Sequence, residues 1–394
     1  MTADAHYRIA YIDTASDLGG AEKSLLELTA RLDTSRFTPL LLHSRGAGWM
    51  KREDTGHLQK IPVFSPGGVM DRQRDRVGSK TLRNLQDMLA SARPVYRVMR
   101  GLRNGRADLV HTNTLKGHLL GGLAARLARL PLIWHVRDLL EEGQGRALLL
   151  QAARTLRPRV IAISEAVARQ FDGLSLRVDL IPNGVPLERF TPGEAPESLR
   201  EEWSLRPEEC VIVCVGRLTP WKGHRTLLRA FAEVLQECPE CHLLVVGEVA
   251  FWSQEYGQEL HELAERLELG DRLIWTGFRP EIPEILRLSD FLVLPSRDEP
   301  FGRVLVEAMA VGKPVIATSS GGAPEIVLPE ETGLLVPPED PEALAEAMVR
   351  MAKGSDLRQK WGQTGLERAA QHFDVRRVVA QVQGVYEEML NGGT

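Results

Sequence analysis

Cysteine is scarce in this chain of 394 residues. Four are present, too few for a disulfide scaffold and in keeping with a reducing compartment. Long apolar runs are missing as well. Apolar stretches such as 130–134 and 291–294 fall far short of the ~20 residues that a membrane-spanning helix requires. No GxxxxGK[ST] occurs, which argues against ATP hydrolysis, and no GxGxxG follows the first strand, which weakens a nicotinamide reading. The opening MTADAHYRIAYIDT lacks the basic-then-apolar pattern of a secretory leader, so a cytoplasmic location is expected. What is there is ordinary globular composition, 43% hydrophobic and 26% charged, with material for two cores.

The net charge of −4 conceals a dipolar chain. Residues 1–190 carry 29 Lys and Arg against 19 Asp and Glu, whereas residues 191–394 carry 20 against 34. The densest basic stretch, 71–106, holds nine arginines and Lys80 against three acidic residues. Such a division suggests two lobes with different partners, the basic one facing an anion, or else an unselected drift of surface charge.

Short β-rich runs alternate with helical patterns along the chain. Strands are predicted at 8–13, 38–43, 108–112, 132–136, 159–163 and 178–181, then at 211–215, 242–246, 273–275, 291–294, 314–317 and 333–336. Helices are predicted at 21–32, 81–103, 115–129 and 165–171, and beyond Val336 the chain reads as helical to its end. Continuous apolar strands between helices imply parallel sheets covered on both faces. The rhythm breaks once, at Pro182-Asn183-Gly184 and the Pro/Glu-rich stretch after it, where the charge also changes sign. The expected organisation is therefore two doubly wound α/β domains, 1–184 and 185–373, facing a cleft. The remaining helix, 374–394, packs on either lobe, the N-terminal one included.

Three loops carry candidate chemistry. After the first strand, Gly19-Gly20-Ala21-Glu22 opens a helix whose free N–H groups suit an anion. After the first strand of the second half, Gly216-Arg217 and Trp221-Lys222-Gly223 place two cations on one loop, able to neutralise a diphosphate or simply to stand in solvent. The strongest signal follows strand 291–294. There Glu299 stands in a Pro300-Phe301-Gly302 turn and Glu307 two turns into the next helix, a pair suited to the vicinal hydroxyls of a sugar and a ribose.

Taken together these segments resemble the family-4 retaining glycosyltransferases of GT-B fold: two Rossmann-like domains, the N-terminal one binding the acceptor and the C-terminal one the nucleotide-sugar. The resemblance rests on GGAE at 19–22, IPNGV at 181–185, GRLTPWKG at 216–223, WTGFRPEIPEIL at 275–286, GKPVIATSSGGAPEIV at 312–327 and the E-x7-E pair Glu299/Glu307. It implies that Glu299 and the backbone after it (Pro300, Phe301, Gly302) face the donor sugar and that Glu307 binds the ribose. Arg217 and Lys222 would hold the diphosphate, helped by backbone near Gly19 and Gly20. Gly216, Gly247 and Phe278 fall among the donor contacts. His135 corresponds to the family's sugar-site histidine, beside Arg137 and Asp138, which suit either acceptor contact or a structural ion pair; His111, Thr112 and Asn113 are further acceptor-side candidates. The resemblance also implies retention of anomeric configuration, a UDP-sugar in preference to a GDP-sugar, and a glycan or lipid-linked acceptor in cell-surface polysaccharide or glycolipid assembly. The chain has no Asp-x-Asp triplet, which fits chemistry without a metal, and no cofactor is expected.

Other features read more plainly. Cys210/Cys214 and Cys238/Cys241 border or enter predicted strands, so core packing accounts for them better than zinc. Trp252 and Tyr256 suit either nucleotide contact or a local aromatic cap. The basic segment 72–106, with Leu82, Leu85, Met88 and Leu89 beneath it, suggests peripheral attachment to an anionic membrane; nucleic acid is a poorer partner because no binding motif accompanies the charge. Two rival functions remain, a sugar-nucleotide epimerase of the same fold and a non-catalytic nucleotide-sugar-binding protein.

Overall fold

A computed structural model describes residues 5–15, 18–64, 92–249 and 253–392. The chain divides into two compact units. One comprises residues 1–184 together with 375–394, the other residues 185–374.

The first unit is built on a seven-stranded parallel sheet: β1 (Tyr7–Ile12), β2 (Phe37–Ser44), β3 (Gln59–Phe64), β4 (Leu109–Thr112), β5 (Leu132–Val136), β6 (Arg159–Ala162) and β7 (Val178–Leu180). Its order is β3-β2-β1-β4-β5-β6-β7. The chain thus winds outward from β1 to β3, crosses back to β4, and winds outward the other way. That reversal, between β1 and β4, is the switch point where open α/β sheets receive ligands. Two elements lie where the sequence pattern predicts none. Strand β3 contains Pro62, which cannot donate to a ladder and is tolerated because β3 is an edge strand. The helix Gln144–Leu156 buries only Leu149 and Ala153 fully, so its apolar stripe is too thin to stand out.

The C-terminal helix, Val375–Asn391, belongs to this first unit. Val378, Val379, Val382 and Tyr386 recur at helical spacing and pack into the same core as Ile9, Tyr11, Leu25 and Phe37. Buried Arg159 adds an electrostatic tie, reaching Asp179 at 2.6 Å and Glu388 at 2.9 Å.

The second unit carries six parallel strands: β8 (Val211–Val215), β9 (His242–Val246), β10 (Leu273–Gly277), β11 (Phe291–Leu294), β12 (Val315–Thr318) and β13 (Gly333–Val336), in the order β10-β9-β8-β11-β12-β13. The switch point here lies between β8 and β11. All four cysteines are free and buried, and they pack with Leu227, Phe231 and Trp361 in the core of this unit. Among the described residues no helix is long and apolar enough to cross a membrane.

Of the basic segment, residues 72–91 lie outside the described residues, including Leu82, Leu85, Met88 and Leu89. Its described part is the helix Ala92–Asn104 and the two residues after it. Val95, Val98 and Leu102 are buried on one face, while Arg93, Tyr96, Arg97, Arg100 and Arg103 are exposed on the other.

Candidate functional site

In the second unit the loops after β8 and β11 lock together at the switch point. The Arg297 amide donates to the Trp221 carbonyl at 2.8 Å, and a Cβ on Gly223 (φ +75°) would lie 2.0 Å from the Pro295 carbonyl oxygen. Only glycine permits that approach. The consequence is that Lys222 and Glu299, distant in sequence, meet: Nζ donates to Oε2 at 2.7 Å with the side chains 16% and 11% exposed. The Lys222 ammonium also lies 4.3 Å from the centroid of the Trp221 ring. Burial and the Lys222 charge push nearby His224 down to about 3, so it stays neutral beside the lysine.

Bare backbone surrounds this pair. Gly216 follows β8 directly beside Gly247, which follows β9; a Cβ on Gly247 (φ +146°) would lie 2.0 Å from the Gly216 carbonyl oxygen. The loop after β12 presses on Glu299 in the same way. Gly321 (φ +63°) has room for no Cβ, since one would stand 2.2 Å from the Glu299 carbonyl oxygen, and the Gly322 amide donates to that oxygen at 2.7 Å. The Ser320 hydroxyl accepts from the Asp298 amide at 3.1 Å. The glutamate is therefore held by its main chain on one side and by Lys222 on the other.

Other predicted donor residues fall around this centre in different ways. Gly302 (φ +93°) opens the helix Arg303–Ala310, which carries Glu307 in a half-buried position 3.4 Å from Arg303. Arg217 is half-buried on the loop after β8, and Phe278, in the loop after β10, is 65% exposed. Pro300 and Phe301 are buried, Phe301 edge-on to Phe373 at 5.9 Å, so the Phe301 ring shapes the turn from inside. Tyr256 is buried in the core near His224, with Arg225 over its ring at 4.8 Å; Trp252 lies outside the described residues.

At the first unit's switch point the structure shows a buried polar network. Asp13, just after β1, accepts from the Ala15 amide at 2.8 Å and from Asn113 Nδ2 at 3.2 Å. Asn113 Oδ1 accepts from Arg137 Nε at 2.6 Å, and Arg137 donates to Asn183 as well. Asn113 and Arg137, expected on the acceptor side, are thus brought together in a buried cluster. Asp138 is half-buried, its carbonyl accepting from Gln170 at 2.9 Å. Thr112 contacts His118 at 2.6 Å rather than an open surface.

Gly19 caps the helix Gly20–Thr29, and the Glu22 carboxylate accepts from the Gly19 amide at 2.7 Å. A Cβ on Gly20 would meet nothing within 4 Å, which leaves that helix start open to a ligand. Burial and the neighbouring Asp13 push the Glu22 carboxyl up to about 8. The upward shift leaves less negative charge on the first-strand loop than an ordinary glutamate would place there. Neither the capping contact nor the shift of Glu22 was legible in GGAE, because both arise from the packed loop.

His135 sits on β5, 2% exposed, with Nδ1 near His111 Nε2 (3.2 Å) and Arg137 Nη2 (3.3 Å). Its Nε2 has no partner among the described residues. Burial, the Arg137 charge and the two nearby histidines hold its pKa well below the usual imidazole range, so it is neutral. It lines a small cavity with Ser24, Arg137, Pro182 and Asn183.

As to metals, Cys238, Glu240 and Cys241 bring ligand atoms within 4.8 Å of one another. Both thiols are buried in the core and Glu240 is exposed, a poor match to a closed four-ligand zinc site.

Residues 18–189 match the family described as Glycosyltransferase Family 4, and residues 196–368 match Glycosyl transferases group 1. A D-inositol 3-phosphate glycosyltransferase of Streptomyces bingchenggensis (strain BCW-1) is 29% identical over 95% of this chain and 86% of its own length. Its counterpart in Saccharomonospora viridis is 30% identical over 73% of this chain and 71% of its own length. Among solved structures, Anabaena Alr3699/HepE in complex with UDP-glucose superposes with a TM-score of 0.81 at 26% identity, over 98% of this chain and all of the other.

Proposed function

The chain belongs to the family-4, group 1 glycosyltransferases and has their GT-B fold, and from that premise we propose that it transfers a sugar, with retention and without a metal, from UDP-sugar to a hydroxyl of a glycan or lipid-linked acceptor. The observation that carries this reading is the Lys222–Glu299 pair at the β8/β11 switch point. Cleavage of the anomeric bond leaves negative charge on the departing diphosphate and positive charge on the sugar. A lysine and an arginine at the leaving group supply the main electrostatic help. When the diphosphate draws Lys222 away, Glu299 is released to accept hydrogen bonds from sugar hydroxyls, and Glu307 takes the ribose. The acceptor hydroxyl attacks the anomeric carbon as the C–O bond to the diphosphate breaks, and its proton passes to the leaving phosphate oxygen.

The UDP-glucose complex of the Anabaena neighbour supports UDP over GDP. The names of the actinobacterial relatives favour a second acceptor reading, a phosphorylated polyol. The relatives cited are transferases, which favours transfer over epimerisation. The enzyme would work at the cytoplasmic face of a membrane, where exposed Arg93, Arg97, Arg100 and Arg103 would each add ~1 kcal/mol toward anionic headgroups.

A thermal-shift screen of UDP, GDP, ADP and TDP with their sugar conjugates, on wild type and Lys222→Ala, tests the donor. A ligand bound only to the native state raises the melting temperature by mass action. UDP compounds should stabilise wild type and lose most of that effect in the variant; no shift with any nucleotide would overturn the reading. Phosphorylated inositol and lipid-linked glycans, offered as acceptors with the selected donor, then separate the two acceptor readings. Co-sedimentation showing no preference for anionic vesicles at low salt would refute membrane attachment.

A further inference from the structure

A chain of buried hydrogen bonds runs from the C-terminal helix to His135. Tyr11 and Tyr386 hydroxyls lie 2.9 Å apart, the Tyr386 hydroxyl is 2.8 Å from His111 Nδ1, and His111 Nε2 is 3.2 Å from His135 Nδ1. All four residues are at most 2% exposed. Taken alone, such a chain could run in either direction, because hydroxyls and neutral imidazoles both donate and accept.

Arg137 removes that freedom. Its Nη2 lies 3.3 Å from His135 Nδ1, and a guanidinium has donors only. His135 Nδ1 must therefore be the bare, accepting nitrogen. His111 then donates from Nε2, which leaves its own Nδ1 bare to accept from Tyr386, whose oxygen accepts in turn from Tyr11. The reverse direction would set a buried N–H against the guanidinium and leave two donors facing each other.

We propose that Arg137 and Tyr386, the latter acting through His111, lock His135 in the tautomer that carries its proton on Nε2, so that His135 meets substrate as a fixed hydrogen-bond donor and not as a base. His111 and Tyr386 are positioning residues. The link to substrate rests on the transferase reading above; the tautomer does not. Burial and the Arg137 charge, which keep both imidazoles neutral, agree with this arrangement. His135 Nε2, buried and unpartnered among the described residues, is the one end of the chain left to engage a ligand oxygen. A fixed donor there would stabilise an oxygen gaining negative charge with no reorientation during reaction.

The test is a long-range proton–nitrogen spectrum of the whole protein labelled with 15N-histidine, recorded without ligand, with His135→Gln identifying the signal. The expected His135 pattern is a pyridine-like Nδ1 and a pyrrole-like Nε2, unchanged between pH 6 and 8. A protonated Nδ1, or titration in that range, would overturn the proposal. In Tyr386→Phe the His111 nitrogens should shift, and kcat with UDP-glucose should fall about three- to tenfold with donor KM within twofold, the scale of one lost hydrogen bond. Tyr11→Phe should leave kcat within twofold; a loss as large as that of Tyr386→Phe would overturn the direction assigned. A Tyr386→Phe protein that melts lower but keeps the wild-type His111 signals and kcat would mean packing alone. Absence of UDP-glucose turnover in wild type would refute the transferase reading, and the spectrum would still decide the tautomer.

Discussion

Replacing Lys222 by methionine should reveal two separable roles of one ammonium group. In the resting structure it lies 2.7 Å from Glu299, and both side chains are mostly buried. Removing one member of a fully buried pair costs about 3–5 kcal/mol, because the other charge stays behind unpaired. The remaining exposure, 16% and 11%, brings the expectation to about 2–3 kcal/mol for Lys222→Met. For a unit of this size that is a fall of about 4–12 °C in melting temperature. Adding Glu299→Gln removes the stranded carboxylate, so the double variant should recover about 1–2 kcal/mol of the loss, the coupling expected of groups in contact. Turnover should behave differently. Release of UDP from UDP-glucose should fall at least about 100-fold in Lys222→Met and stay low in the double variant, since the leaving diphosphate has lost a cation. The assays are thermal melts and UDP release on wild type, both single variants and the double. A double variant no more stable than Lys222→Met would refute the pairing argument. A double variant with restored turnover would show that Lys222 serves only to hold Glu299.

Further outcomes follow from the same geometry. Glu22 has its carboxyl pushed up to about 8 by burial and by Asp13. Its native form therefore holds a proton that the unfolded chain gives up near the ordinary glutamate value. That stability is complete below about pH 4.5 and lost as pH rises through about 8, so Glu22→Gln should flatten the loss in chemical denaturation curves between pH 5 and 9. Gly321→Ala places a Cβ 2.2 Å from the Glu299 carbonyl oxygen at φ +63°; it should displace the 298–300 loop and abolish UDP-glucose turnover even where the circular dichroism spectrum stays native. Arg159→Leu removes the pairs to Asp179 and Glu388, although both carboxylates keep Arg177 as a partner, so the loss should be about 1–2 kcal/mol, with the C-terminal helix opened to limited proteolysis.

Much of this was legible in one dimension. The alternation of apolar runs with helical patterns announced two parallel sheets, because strands buried on both faces leave little choice of residue. The need for glycine at 223, 247 and 321 was not legible in the same way; it became plain when backbone from another loop was found where a Cβ would stand. The edge strand β3 was hidden by Pro62, and the helix Gln144–Leu156 by a stripe too thin to register.

The motifs by themselves determined the family and the fold, because those are carried by residue type at fixed spacing along the chain. They could not say that Lys222 rests on Glu299, that burial pushes the Glu22 carboxyl up, or that Tyr386 reaches His111 across 275 positions. Pairing and burial are properties of the packed chain: they depend on which loops the sheet order brings to one edge, and on how much water the helices above it exclude.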